Sequence, residues 1–232
     1  MKKQRTVSQV LAVLLAILAL AACAPKELTA QEIVQKMADN SENLKTGHMD
    51  MTLNLSAAGQ SISGNSLGVF ENPDKSYMVM ELLGAHVEVL TLSPTEIYTR
   101  TNTSDAWQSA PADATGQFGG VTDITRNPQK LLSLYQNLQL LGTETIDGTE
   151  CYHLSFELDL LEVMEATGVN MESMQGASYK GLAQVESWVG TQDFFGRRVS
   201  QKFTLVAEGQ EVDVESIVNV TQINQPVEIP TP

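Results

Sequence analysis

Cys151 and His153 form the residue pair whose spacing most readily supports chemistry in this chain. They stand two apart in an alternating segment, so on a β-strand they share one face. A cysteine beside a histidine can serve as a nucleophile or hold a metal ion. Their neighbours Tyr152 and Leu154 are large and apolar, as expected for the side of the strand that faces the core. Cys151 would then lie on the opposite, less apolar face as a free thiol. The chain has 3 histidines in all, too few to complete a metal site around this pair. We therefore expect neither catalysis nor metal binding here.

A second candidate is the segment Gly64-Asn65-Ser66-Leu67-Gly68, which matches the G-x-S-x-G pattern of hydrolase nucleophiles. That pattern works only on a sharp turn between a strand and a helix, with an acid and a histidine following in order. Here the next residues, 69–71, continue as a strand. Glycines flanking a hairpin explain the segment better than a catalytic serine does.

The charge balance excludes further classes of function. The chain carries 14 Lys and Arg against 28 Asp and Glu, a net charge of −14. Such an acidic surface repels phosphate backbones, so we expect no nucleic-acid partner. The acidic residues are scattered as on a solvated face, without the spacing of a calcium loop, and the chain has neither a phosphate-binding glycine loop nor a zinc-protease motif. We expect no cofactor and no enzymatic activity.

The N-terminus has the three parts of an export signal. Lys2, Lys3 and Arg5 are followed by an unbroken apolar run over residues 10–22. This run suits the core of a signal peptide and is too short to span a bilayer, which takes about 20 residues. The composition therefore predicts a signal peptide over residues 1–22.

Leu20-Ala21-Ala22-Cys23 resembles the lipobox of bacterial lipoproteins. The resemblance implies that the Cys23 thiol is alkylated with diacylglycerol and that the chain is cut just before it. Residues 23–28 would then be the lipidated cysteine and a tether, holding the protein outside the cytoplasm on the cell membrane. Two acyl chains, such as palmitate, are enough for stable anchoring. Cys151 would remain the single thiol, so no intramolecular disulfide is expected.

The first half of the mature chain indicates one helix followed by strands. Thr29 and Glu32 have the spacing of a capping box, and an amphipathic helix is expected from there to about Leu44. From His48 the apolar residues alternate with polar ones, as in a half-buried antiparallel strand. Further strands are expected over residues 67–71, 76–83, 86–92 and 97–101, and a loop containing Trp107 over residues 103–126.

The second half mixes both patterns. Asn127-Pro128 is typical of a helix start, and a stripe of leucines extends that predicted helix to Leu141. Asp147-Gly148 predicts a two-residue hairpin between strands at 143–146 and 151–158. A Met-rich helix is expected from Leu160 to about Met174, broken near Gly168. Strands are then expected over residues 182–189, 198–206 and 211–223.

Together these elements predict an α+β fold. About nine to eleven antiparallel strands with one wet face need a cover on the other face, and the two or three helices are the available cover. The sequence has no internal repeat and no linker long enough to divide it. We therefore expect a single domain over residues 29–223 and a flexible tail over residues 224–232.

The order of these features resembles the LolA/LppX/LprG-like superfamily of bacterial envelope lipoproteins and lipid carriers, particularly small, mostly uncharacterised lipoproteins of Gram-positive-type bacteria. The likeness rests on residues 29–36 running into 44–48, on residues 72–78 followed by 96–98 and Trp107, and on residues 147–154 followed by 186–189 and 194–197. It implies an unclosed β half-barrel with helices in its concave side and an apolar cavity that holds acyl chains. Because soluble carriers of this kind lack an anchor, an anchored chain would be an acceptor, a tethered shuttle or a sensor.

Methionines suggest where such a cavity could lie, because their flexible, polarizable side chains suit adaptable apolar surfaces. Met49 and Met51 share one strand face, and Met78 and Met80 share another. We take the following residues as candidate cavity residues: Met49, Met51, Leu53, Met78, Met80, Met164, Met171, Met174 and Trp107. Ordinary core filling is the alternative for each methionine, and Trp107 could rim the cavity or plug the sheet edge.

Two functions remain open. The first is an anchored protein that holds a lipid or another long apolar ligand in the half-barrel, for lipid trafficking in the cell envelope. The second is an interaction or envelope-sensing module with the same fold and no ligand. A cavity above about 300 Å³ opening toward the tether would favour the first, and a filled core would favour the second. No protein partner can be named from the sequence.

Overall fold

Eleven antiparallel strands form the body of the protein. A computed structural model of the chain describes residues 27–110, 128–167, 177–207 and 209–232. The strands are β1 Thr46–Ala57, β2 Gln60–Glu71, β3 Lys75–Leu82, β4 Ala85–Ser93, β5 Glu96–Arg100, β6 Gln108–Ala110, β7 Gln136–Ile146, β8 Thr149–Leu158, β9 Ala177–Gly190, β10 Gly196–Ala207 and β11 Gln210–Thr221.

The strands lie in one sheet in the order β6-β5-β4-β3-β2-β1-β11-β10-β9-β8-β7. Two meanders therefore run in opposite directions from a central seam, where the first strand pairs with the last. The register of this seam places His48 opposite Thr221 and Met49 opposite Val220. In the described part of the chain β6 and β7 end the order without pairing to each other, so the sheet is unclosed.

The first helix, α1 (Ala30–Asn40), begins with the predicted capping box. The Thr29 hydroxyl accepts a hydrogen bond from the Glu32 amide at 3.2 Å, and the Glu32 carboxylate accepts one from the Thr29 amide at 2.8 Å. The helix was expected to reach Leu44. It ends four residues earlier, at Asn40, and a 3-10 turn follows over Ser41–Asn43. Leu44 comes directly after this turn and lies just before β1.

The helices cover one face of the sheet, here called the inner face. Helix α1 buries Ile33, Val34 and Met37 in a cluster with Leu154 of β8 and Val189 of β9. Two further helices, α2 (Pro128–Leu131) and α3 (Leu160–Thr167), bury side chains beside the neighbouring part of β8, β9 and β10. The predicted α+β fold, an unclosed antiparallel sheet with helices on its concave side, is confirmed.

The second predicted helix is wrong beyond its first turn. Helix α2 ends at Leu131, and residues 136–146 form β7 instead. Leu138 and Leu140 lie on this strand, which pairs with β8 from Gln136 opposite Glu157 to Ile146 opposite Thr149. The leucine spacing fits both the period of a helix and that of a strand. Hydrogen bonding to β8 makes the segment a strand and extends the β7–β8 hairpin back to Gln136.

Other element boundaries also differ from expectation. The third helix is described from Leu160 to Thr167, and its predicted continuation to Met174 falls outside the described residues. Strand β2 begins at Gln60 rather than near Leu67, and the short strand β6 lies where only a loop was expected. Within the described residues, no helix is long and apolar enough to cross a lipid bilayer.

The C-terminal residues lie against the sheet, where a flexible tail was expected. The Asn224 side chain accepts a hydrogen bond from the Lys45 amide at 2.7 Å and donates one to the Asn43 carbonyl at 3.0 Å. The Asn224 amide donates to the Thr46 carbonyl at 2.9 Å. Residues 227–231 then run beside Tyr77 and Leu92 on the face opposite the helices, here called the outer face.

Candidate ligand-binding groove

The first four strands carry an apolar surface on the inner face. Strand alternation places Met49, Met51 and Leu53 of β1 on this face. Their register partners on β2 are the small residues Gly68, Ser66 and Gly64. The next partners, on β3, are Met78, Met80 and Leu82. A strip of small residues therefore runs along β2 between two rows of long apolar side chains.

The glycines on β2 let their neighbours lie close to the backbone. A β-carbon at Gly64 would meet Leu82 Cδ1 at 2.7 Å, and one at Gly68 would meet Met78 Cγ at 2.9 Å. Both distances are too short for a real contact, so these two positions require glycine for Leu82 and Met78 to hold their places. The G-x-S-x-G segment is thus a packing feature of a strand, and Ser66 lies buried within it.

This surface encloses a groove of about 330 Å³. The exposed atoms that line it are almost all apolar. Its lining residues in the described part of the chain come from β1–β4 and their turns: Met51, Leu53, Gly64, Asn65, Ser66, Met80, Glu81, Leu82, Leu83, Ala85 and Val87. The groove thus has the size and the wall chemistry of a site for hydrocarbon.

Three of the candidate cavity residues, Met51, Leu53 and Met80, line this groove. Met49 is buried in a core cluster with Leu44 and Phe70, and Met78 packs against that cluster. The candidates that line the groove are those farther along β1 and β3 from the core cluster.

The remaining candidates lie elsewhere. Met164 of α3 is buried on its helix. Trp107 lies on the outer face, over the guanidinium of Arg100 at 4.3 Å, with its ring edge-on to Tyr77. Met171, Met174 and Cys23 lie outside the described residues.

Sequence reasoning missed several lining residues. Leu82 and Val87 continue the alternation that begins at Met78 and passes through the turn after β3, so their face could have been inferred from the strand period. Gly64 could also have been recognised, because a glycine inside a strand often marks a position that another group approaches closely. The polar composition of residues 60–66 concealed that β2 begins at Gln60.

On the outer face of β3–β5 a buried carboxylate organises a polar cluster. The carboxylate of Glu88 is fully buried; it accepts hydrogen bonds from the Tyr77 hydroxyl at 2.6 Å and from Arg100 at 2.7 Å, and His86 Nε2 lies 3.2 Å away. Burial alone would raise the pKa of Glu88, but these hydrogen bonds and the charge of Arg100 lower it to about 2. Arg100 in turn supports the ring of Trp107.

Cys151 and His153 lie on the outer face of β8, as their alternation predicts. Cys151 is nevertheless fully buried, in a small cluster with Ile146 and Trp188. Burial raises the pKa of its thiol more than the charge of Arg197 lowers it, so the thiol is poorly suited to nucleophilic chemistry. No group of three His, Cys, Asp or Glu residues is placed to hold a metal ion in the described ranges.

His153 has partners on both ring nitrogens. Nδ1 lies 2.9 Å from Glu144 of β7, and Nε2 lies 3.1 Å from Glu186 of β9. The ring stacks on Trp188 with their centroids 4.4 Å apart. His153 thus ties three neighbouring strands together on the outer face, away from the groove.

Comparison with solved structures shows the fold. LprF from Mycobacterium bovis is similar with a TM-score of 0.52 at 19% identity, over 88% of this chain and 96% of LprF. The lipoprotein LppX from Mycobacterium tuberculosis is similar with a TM-score of 0.51 at 14% identity, over 87% of this chain and 98% of LppX. No family model matches the sequence, and no curated protein matches it significantly. The expected fold, shared with LprF and LppX, is therefore confirmed.

Proposed function

We propose, from the fold shared with LprF and LppX and from the groove on β1–β4, that this protein is a lipid-anchored lipoprotein outside the cytoplasm that holds an acyl chain or another long apolar ligand. The lipid on Cys23 would keep it at the membrane from which such a ligand comes. Its role would be to shield the ligand from water during lipid trafficking in the cell envelope.

The observation that carries this proposal is the apolar groove itself. Its volume of about 330 Å³ lies at the lower end of the range for small-molecule sites, roughly 300–1,000 Å³. Each methylene moved from water into such a groove contributes about 0.8 kcal/mol. The exposed Leu82 and Leu83 at its margin, 36% and 74% accessible, would lose solvent contact in the same step.

The proposed mechanism is passive. The groove walls offer methyl, methylene and thioether groups, which bind hydrocarbon without reacting with it. Flexible side chains at Met51 and Met80 would adapt to ligands of different shape. We therefore propose a binding protein rather than an enzyme.

The alternative is an interaction or sensing module with no ligand. That function would be favoured if the four methionines of β1 and β3, Met49, Met51, Met78 and Met80, all packed against the core. Met49 belongs to the core cluster and Met51 and Met78 pack against it, but Met51 also lines the groove, as does Met80. The volume of the groove therefore supports ligand binding. Its position does not meet the expectation of an opening toward the tether, because the groove lies on β1–β4 whereas Leu28, at the end of the tether, packs near β8 and β9.

Native mass spectrometry of the protein purified from its own host tests the binding function. We expect a co-purifying apolar ligand on the wild type and at least a tenfold loss of it in Met80→Asp, because the carboxylate would be desolvated against hydrocarbon. Leu67→Asp is the matched control, since Leu67 is 60% exposed on the outer face of β2. Met80→Gln repeats the test without a charge if Met80→Asp fails to fold. Equal ligand occupancy in the Met80 and Leu67 variants would contradict the proposal.

Metabolic labelling with an alkyne analogue of palmitate tests the anchor. We expect Cys23→Ala to lose the label and to leave the membrane fraction, because the alkylated thiol is gone. Cys151→Ala removes the other cysteine and should keep both. Labelling that persists in Cys23→Ala would refute anchoring through that residue.

A further inference from the structure

One transverse row of side chains crosses the inner face from the groove to the helix-covered core. Register places its members side by side on neighbouring strands: Leu82, Gly64, Leu53, Ser216, Gln201, Val185 and Phe156. Leu82, Gly64 and Leu53 line the groove, and Val185 and Phe156 belong to the core beneath α2 and α3. Two polar residues, Ser216 and Gln201, thus lie between two apolar regions.

These two side chains are buried, and each has a polar atom that no described residue pairs with. Ser216 and Gln201 are each 2% exposed. Within the described residues, the Ser216 hydroxyl and the Gln201 side-chain nitrogen have no hydrogen-bond partner, and they do not bond to each other. The great majority of buried polar side chains in proteins are hydrogen-bonded, so two adjacent exceptions call for a physical reason.

Their surroundings specify what could pair with them. The neighbours in the row, Leu53 and Val185, are apolar. The nearest charges along the two strands, Lys202 and Glu215, point to the outer face, where they pair with each other at 3.0 Å. With no cation beside them along these two strands in the described part of the chain, a carboxylate ligand buried at Ser216 and Gln201 would lack a counter-charge, which is costly. A neutral acceptor would take hydrogen bonds from both side chains at no such cost.

We propose that Ser216 and Gln201 bind the ester carbonyl of a neutral acyl ester whose hydrocarbon chain lies in the groove. The inference rests on the proposed function and narrows its ligand from any long apolar molecule to an ester. The Gln201 amide and the Ser216 hydroxyl donate to the carbonyl oxygen, and the chain extends past Leu53 along β2.

Ligand entry in this proposal requires a local rearrangement. Leu53 stands between the groove and Ser216 in the row, and both polar side chains are covered. The side chains over them move aside when the carbonyl enters, and the space that they leave joins the groove. Adjacent strands lie only about 4.8 Å apart, so the movement needed is that of one or two side chains.

Photo-crosslinking of the full-length chain in nanodiscs tests the inference. The probes are diazirine analogues of palmitate methyl ester, of free palmitate and of hexadecane, added at equal loading. In the wild type we expect groove labelling by the ester to exceed that by the hydrocarbon at least about fivefold, the effect of roughly one of the two neutral hydrogen bonds. It should also exceed labelling by the free acid, because the carboxylate would be buried without a counter-charge. Gln201→Met and Ser216→Ala should each reduce this preference while leaving hydrocarbon labelling unchanged.

The control is Ser187→Ala, an equally buried serine on β9 that lies in a neighbouring row, opposite Val199. It should keep the preference for the ester. Thermal unfolding supplies a second measurement, because removing an unpaired polar group from Gln201 or Ser216 should leave the melting temperature unchanged or raise it. A fall in melting temperature with an intact ester preference would show a structural role and overturn the inference.

The outcomes separate the two proposals. Equal labelling by ester and hydrocarbon, or a preference for the free acid, overturns the ester site and leaves the apolar groove in place. Absence of groove labelling by every probe overturns both. A water molecule seen bridging Gln201 and Ser216 in the ester-loaded protein would also overturn the ester site.

Discussion

Glu88 shows how a single buried charge can be tolerated in a sheet. Tyr77 and Arg100 donate to its carboxylate, and His86 lies against it. This arrangement compensates the cost of desolvation, as the low pKa of about 2 indicates. The cluster also fixes Arg100 beneath Trp107 and so connects β4 with the segment that leads into β6.

Replacing Glu88 by Gln should destabilise the protein by about 3 kcal/mol at neutral pH, because Arg100 would lose its buried counter-charge. Urea unfolding followed by circular dichroism measures the change. Glu81→Gln is the control, since Glu81 is 72% exposed at its side chain. A Glu88→Gln variant as stable as Glu81→Gln would contradict the structural role of the cluster.

The same substitution should alter acid unfolding. The folded-state pKa of Glu88, about 2, lies below its ordinary value of 4.5. Its contribution is therefore complete above pH 4.5 and is lost as the pH falls from there toward 2. Glu88→Gln should lack this part of the acid-induced loss of stability.

At the residue scale the sequence located part of the groove. Met51, Leu53 and Met80 were found because apolar alternation predicts which strand positions share a face. Trp107 lies on the outer face because it packs over Arg100, which Glu88 holds from the opposite strand of the β4–β5 hairpin, and the sequence around Trp107 carries no sign of this contact. The unpaired state of Gln201 and Ser216 likewise depends on what surrounds them and leaves no local signal.

Among the elements, the β7–β8 hairpin depends on its two-residue turn. Asp147 has φ 48° and Gly148 has φ 80°, the positive pair of a type I′ turn. A β-carbon at Gly148 would meet no atom within 4 Å, so the glycine is required by the backbone conformation alone.

Gly148→Ala should therefore cost about 1 kcal/mol, the price of a left-handed conformation for an alanine. The matched control is Asp147→Asn, which should change stability little because Asn-Gly suits the same turn. Thermal unfolding should show a melting temperature lower by about 2–4 °C for the Gly148 variant. Equal melting temperatures for the two variants would show that the turn adopts another conformation.

Elements with local signals were predicted, and those that depend on a partner were not. The capping box at Thr29 and the turn at Asp147 follow from a few adjacent residues. The leucines from 131 to 141 carry a helical spacing that competes with a strand, and pairing with β8 decides between them. Strand β2 starts early because β1 provides a ladder as far as Gln60 opposite Ala57.

Asn224 ties together parts of the whole chain that are far apart in sequence. Its side chain bonds the backbone of Asn43 and Lys45, between α1 and β1, while it follows directly on the end of β11. Its φ of 58° is one that asparagine adopts more readily than most residues. The residue thus fastens the C-terminal segment to the start of the sheet.

Asn224→Ala should lower the free energy of unfolding by about 1–2 kcal/mol, through lost hydrogen bonds and an unfavourable backbone conformation. Asn224→Gly keeps the conformation accessible and should cost less, so the difference between the two variants isolates the backbone contribution. Gln225→Ala, whose backbone carbonyl still accepts from Thr46, is the neutral control. Chemical denaturation measures all three, and an Asn224→Ala variant as stable as the Gln225 control would contradict the fastening role.

The seam between β1 and β11 has a consequence for how the protein is made. A chain synthesised from its N-terminus presents β1 long before β11, its partner from His48 opposite Thr221, exists. The N-terminal meander can pair β1 with β2 at once, but the other edge of β1 stays open until the last strand emerges. An open edge of this length is a template for pairing with the wrong chain. We therefore expect the incomplete chain to be open to aggregation through this edge of β1 until the last strand completes the sheet.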